Sequence, residues 1–212
     1  MYSKVIGLDA LDKALLSSIY TCSLDGRDVL ERTKERIPVS EDILQKRIER
    51  LASLGMISKD SLRLTEIGRD ALKVIFAGGV FDIIHPGHIH TLRSAKALGD
   101  VLVVSIARNI TAVKTKGKPP MHDEKLRQEL VSSLKFVDLA LLGNEEDIFK
   151  TVELVKPDII ALGYDQVHQE KHIVEECKKR GLNLQVVRLQ SPVPDLKSSS
   201  IKKDLGESLY KI

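Results

Sequence analysis

The chain has 212 residues and a formal charge of +3, with 42% hydrophobic, 30% charged and 4% aromatic residues. That mix is too apolar for a disordered chain, and the charge is too small to mark a nucleic-acid coat or a membrane-surface protein. The only cysteines are Cys22 and Cys177, which excludes a disulfide framework or a cysteine zinc site and makes a reducing cytoplasm the expected setting.

No apolar run approaches the ~20 residues that cross a bilayer, and the first eleven residues lack the apolar core of a secretory signal. Residues 1–71 predict a small, mainly helical domain. Leu11, Ala14, Leu15 and Ile19 recur at helical spacing, as do Leu44, Ile48 and Leu51. Ser40 followed by Glu41 and Asp42 starts the second of these helices, and Gly55 stops it. Residues 56–58 and 62–64 suit a short hairpin, and a further helix begins near Glu66. This order resembles a winged helix-turn-helix domain. Residues 1–72 hold 12 basic and 12 acidic residues, so this region is neutral and the excess charge lies beyond it.

Residues 72–212 predict an α/β domain. Short apolar runs at 74–77, 101–107, 139–142, 159–162 and 184–189 alternate with amphipathic segments at 89–98, 123–134, 148–155 and 174–180, and a last helix starts near Ser198. Strand–helix alternation with continuously apolar strands implies a parallel sheet covered on both faces.

The first predicted strand runs into Gly78-Gly79-Val80-Phe81-Asp82-Ile83-Ile84-His85-Pro86-Gly87-His88. Glycines let the backbone approach a ligand. His88 falls where a helix begins, and a helix N-terminus attracts anions. Two histidines around Pro86-Gly87 aim donors at one place, which suits phosphate oxygens gaining charge during transfer. Zinc is the other common use of two histidines, but no third ligand has suitable spacing; no metal bound directly by side chains is expected.

Gly79-Val80-Phe81-Asp82 followed by His85-Pro86-Gly87-His88 resembles the signature of the cytidylyltransferase-like nucleotidyltransferases over roughly residues 73–205. The resemblance implies a Rossmann-like doubly wound sheet in order 3-2-1-4-5 and transfer of a nucleoside monophosphate from a triphosphate, with pyrophosphate released. It places Lys114, Lys116 and Lys118 in a basic loop that contacts the triphosphate, although the same lysines suit a solvated loop. It puts Arg127 on the following helix, where helix-surface pairing is the alternative. Leu162-Gly163-Tyr164-Asp165-Gln166 is similar to a segment of archaeal FAD synthases. Ser198-Ser199-Ser200 is similar to the helix start that closes the nucleotide site, though an ordinary cap would read the same. His88 to Arg93 also resembles glycerol-3-phosphate cytidylyltransferases. Asn109 stands where flavin-branch relatives usually carry Asp.

The resemblance therefore implies His85, His88, Lys114 and Arg127 as catalytic groups. It implies Gly79, Val80, Phe81, Gly87, His88, Gly163, Asp165, Ser198, Ser199 and Ser200 around the nucleotide, and Asp82, Tyr164 and Asp165 around the acceptor. His90, His122, His168 and His172 read as surface histidines. The expected reaction joins ATP and FMN into FAD, with Mg²⁺ carried by the triphosphate. The alternatives are CTP with glycerol 3-phosphate, or a DNA-binding regulator that senses a nucleotide. For the helical region, a dimerising or substrate-covering role, including a homodimer, is expected ahead of DNA binding, because its net charge is zero.

Overall fold

Asp9 opens the first helix. Its carboxylate accepts the Asp12 N–H at 2.9 Å, and the Asp12 carboxylate accepts the Asp9 N–H at 3.1 Å, a reciprocal cap. The computed structural model containing this helix describes residues 7–58, 60–164, 170–190 and 201, with the backbone alone at 115–116. It divides the chain into two compact units, Met1–Lys73 and Val74–Ile212.

In the first unit, α1 (Ala10–Asp25) ends at Gly26 with φ 75°. Then come α2 (Val29–Arg36), capped by Asp28, and α3 (Glu41–Ser53). The expected hairpin is reduced to one antiparallel bridge between Ile57 and Leu64, followed by α4 (Glu66–Asp70). Leu15, Leu16 and Ile19 of α1 and Leu44 and Leu51 of α3 are buried, as the helical spacing requires. Gly68 has no room for a side chain: a Cβ there would sit 2.0 Å from the Met56 carbonyl oxygen.

The second unit is built on β1 (Val74–Gly79), β2 (Val101–Ile106), β3 (Leu139–Leu142), β4 (Ile159–Leu162) and β5 (Gln185–Arg188). All pairings are parallel, in the order β3-β2-β1-β4-β5, so the architecture is Rossmann-like. Every residue of β2 and β4 is buried, the mark of strands covered on both faces. Two aspartates fix the N-terminal end of the sheet. Asp138, just before β3, accepts the Leu102 N–H at 2.5 Å, and Asp158, just before β4, accepts the Val74 N–H at 2.7 Å. Each satisfies an amide that no neighbouring strand reaches.

The crossover helices are α5 (Pro86–Lys96), α6 (Asn109–Lys116), α7 (Glu124–Ser132), α8 (Ile148–Val155) and α9 (Glu170–Lys179). α5 begins earlier than its apolar spacing suggests, because His85 is the N-cap and Pro86 fills the first turn, where its missing N–H costs nothing. α6 replaces most of the expected basic loop. Its cap is remote in sequence: the Asn109 N–H donates to the Glu124 carboxylate at 2.7 Å. Among the described residues no helix is long and apolar enough to cross a membrane.

Gly68→Ala should destabilise the first unit by about 1–3 kcal/mol, because the clash is with backbone and cannot be relieved by a rotamer change. Thermal unfolding checks this; an unchanged midpoint would contradict the packing of α4.

Candidate active site

The turn after β1 is held in an unusual shape. Phe81 has φ 49°, a conformation that bulky residues avoid. Its side chain is buried, and the ring packs on Gly79, where a Cβ would lie 2.8 Å from ring carbon Cε2. Gly79 is thus a glycine because Phe81 occupies the space. The Phe81 ring meets His88 edge-on, with centroids 5.2 Å apart at 62°. His88 in turn stacks on His85, at 3.9 Å and 26°. His85 is extended, with φ −140°, and is the N-cap of α5, without a side-chain cap bond. Gly87 and His88 lie in the first helical turn, whose N–H groups have no helical acceptor. Two imidazoles and a helix N-terminus therefore converge, an arrangement that suits phosphate.

Asp82 is buried, and its two oxygens accept the Met121 N–H and the His122 N–H, each at 2.9 Å. The sequence assigned it to the acceptor; in the structure it bolts the loop before α7 onto the turn. His122, read as a surface histidine, joins this contact through Nδ1, 2.8 Å from the Asp82 carbonyl oxygen.

Arg127 also differs from expectation. Its side chain has 0% exposure. Its guanidinium donates to the carbonyls of Val80 (2.5 Å), Ala107 (2.9 Å) and His122 (3.1 Å), and to Asn109 Oδ1 (2.8 Å). A group so enclosed is not the helix-surface residue of the alternative reading; it ties the turn after β1 to the segments after β2 and before α7. Burial pushes its pKa down, while Asp82, Glu124 and Asp123 push it back up; it stays charged because arginine does not deprotonate in proteins.

Lys114 is exposed on α6, and Lys118 is exposed just beyond Gly117, the left-handed residue that ends α6; Lys116 is the last residue of α6. Gly163 and Tyr164 follow β4, which pairs with β1. The strand order reverses between β1 and β4, so both turns open on one crevice, the usual ligand position in such sheets. Asp165, His168, Ser198, Ser199 and Ser200 lie outside the described residues. The sequence reading missed Arg188, at the end of β5, which donates to the Gly163 carbonyl at 3.0 Å and pairs with Glu170 at 2.8 Å. Its signal was its position, a cation at the C-terminal edge of a strand beside the crevice. Arg108, which joins Glu124 (2.7 Å) and Glu145 (2.6 Å), carried no signal of that kind.

A doubly wound parallel sheet, with paired histidines opening the helix after its first strand, defines a nucleotidyltransferase. A family model described as cytidylyltransferase-like matches residues 76–204. The chain belongs to that family. It is 55% identical over 116 residues to a FAD synthase of Aciduliprofundum boonei, covering 55% of this chain and 77% of that one. It is 52% identical over 134 residues to a FAD synthase of Thermoplasma acidophilum, covering 63% and 94%. A crystal structure described as a lipopolysaccharide core biosynthesis protein from Thermoplasma volcanium matches with TM-score 0.55 and 49% identity, covering 57% of this chain and 98% of that one.

Gly79→Ala should force the Phe81 ring, and with it His88, out of place. We expect about 1–3 kcal/mol of destabilisation and weaker stabilisation by added ATP in a thermal shift. A variant that melts and responds to ATP like the parent would contradict this packing.

Proposed function

We propose that this chain transfers AMP from ATP to FMN, forming FAD and releasing pyrophosphate. The observation that carries the reading is the stacked His85–His88 pair at the start of α5, in a chain about half identical, over 55–63% of its length, to proteins named FAD synthase.

The acceptor is already a nucleophile. A phosphate oxygen of FMN attacks the α-phosphorus of ATP in line; the new P–O bond forms as the bond to the β-phosphate oxygen breaks, and that electron pair leaves with pyrophosphate. No covalent enzyme intermediate is required. His85 and His88 donate hydrogen bonds to the oxygens that gain charge. We assign Lys114, exposed on α6, to the β- and γ-phosphates. Asp165 and the serines at 198–200 are the groups we assign to the remaining nucleotide contacts. Mg²⁺ enters with the triphosphate, held mainly by phosphate oxygens.

Beside His85 lies an open depression of about 410 Å³, lined by Ile84, His85, Pro86, Ile89, His90 and Arg93. For the first unit we propose a dimerising or covering role. Its cations are largely engaged: Arg47 pairs with Asp9 and Asp12, Arg50 with Asp12, Lys46 with Asp42, and Lys34 with Glu41. Binding to a DNA backbone would have to break such pairs.

With FMN, ATP and Mg²⁺ the chain should form FAD, read by chromatography and pyrophosphate release. His85→Ala and His88→Ala should each lower kcat by about 10²–10³-fold with the fold retained by circular dichroism. If CTP and glycerol 3-phosphate release pyrophosphate while FMN neither binds nor reacts, the flavin assignment fails. If either histidine variant turns over like the parent, the charge-stabilising role fails.

Residues 74–212 expressed alone should stay folded and bind ATP, because that unit carries its own sheet and core. Aggregation, or loss of nucleotide binding, would show that the two units act as one.

A further inference from the structure

Arg127 is a buried cation whose donors must all be met from within the protein. Its Nη2 has two N–H groups, and two acceptors meet them: the Ala107 carbonyl at 2.9 Å and Asn109 Oδ1 at 2.8 Å. Nη1 of the same planar group donates to the Val80 carbonyl at 2.5 Å, immediately before Phe81 with its φ of 49°. The orientation of the Asn109 amide follows from chemistry. Arginine offers only donors, so the amide oxygen must face it. The amide nitrogen then faces Asp123 Oδ2, at 3.2 Å, which is an acceptor. Asp123 itself is fixed as the cap of α7, accepting the Lys125 N–H at 2.9 Å. The hydrogen bond from Lys125, with help from Asn109, holds its carboxyl below the usual range.

We propose that Asn109 is a positioning residue for nucleotidyl transfer: its side-chain oxygen holds the Arg127 guanidinium on the Val80 carbonyl and thereby fixes the turn that aims Phe81 and His88. Asn109 touches no substrate. Without its oxygen, one Nη2 donor of a side chain with 0% exposure loses its acceptor, and the planar group turns to find another. Because the guanidinium is rigid, that rotation displaces Nη1 from Val80. The essential half of the amide is the oxygen. The nitrogen only meets Asp123 Oδ2, the oxygen that does not cap α7 and that water can reach at this exposed residue.

The inference rests on nucleotidyl transfer and not on the identity of the acceptor. The test compares Asn109→Ala, Asn109→Leu and Asn109→Asp in the full chain. Two readouts are used: kcat and KM for pyrophosphate release, with whichever of FMN and ATP or glycerol 3-phosphate and CTP the parent turns over, and amide hydrogen exchange at Met121 and His122. The exchange readout needs no acceptor, so failure of the flavin assignment and failure of this inference are separable. The Ala and Leu variants should lose about ten- to a hundredfold in kcat per folded molecule, because small misplacements of reacting groups carry such costs. Their KM for the nucleotide should change little, and exchange at the two amides that Asp82 holds should quicken. Asp keeps an acceptor toward Arg127, so that variant should return both readouts to near the parent. Parent-like kcat or parent-like exchange in the Ala and Leu variants overturns the proposal. So does an Asp variant as impaired as Leu, or Ala and Leu variants that do not fold, which would assign Asn109 to the fold alone.

Discussion

The arrangement of the site depends on one buried charge. A guanidinium with no exposed surface is costly unless its donors find acceptors, and Arg127 has four: carbonyls from three separate segments and Asn109 Oδ1. Val80 follows β1, Ala107 follows β2, and His122 precedes α7. None of these carbonyls lies within a regular element, so none is satisfied by the sheet ladder. The arginine thus completes the accounting for three loops at once. Asp82 works from the other side of the same joint: it takes the N–H groups of Met121 and His122 while Arg127 takes the His122 carbonyl. A cation and an anion grip one loop by its opposite polar groups.

That grip explains how Phe81 remains in a strained backbone conformation. The cost of such a conformation is of order 1–3 kcal/mol, and it persists only if the surroundings leave no alternative. Here the preceding carbonyl is held by Arg127, the following carboxylate by two amides, and the ring by the empty side of Gly79. The product is a fixed edge-on contact with His88, which sets the stacked pair at the start of α5. Preorganisation of this kind lets hydrogen-bond donors meet developing charge without rearranging.

The strands were legible in the amino-acid sequence because their burial is two-sided. Val101-Leu102-Val103-Val104 can only be a covered strand or a buried helix, and its short length decides between them. The His-Pro-Gly-His turn was legible because strand end, glycines, histidines and helix start all fall within eleven residues. What could not be read were contacts between distant segments. α6 lacks a local cap: its first N–H is satisfied by Glu124, fifteen positions on, so its sequence looks like a basic loop. Asp82 looks like a ligand group because nothing near it in sequence shows that two amides some 40 positions away claim its oxygens. Arg127 has the periodicity of a helix face, and periodicity alone does not distinguish a buried cation from an exposed one.

The same reasoning separates the two units chemically. In the first unit the one deeply buried acid, Asp12, is met by Arg47 and Arg50 of α3, so the cations of that helix serve its own packing. In the second, the buried cation is met mostly by carbonyls, which are neutral. Carbonyl oxygens satisfy its donors but cancel none of its charge. Its charge is balanced instead by the nearby carboxylates of Asp82, Glu124 and Asp123. An arginine without exposed surface acts on the turn in this way, through the Val80 carbonyl it orients.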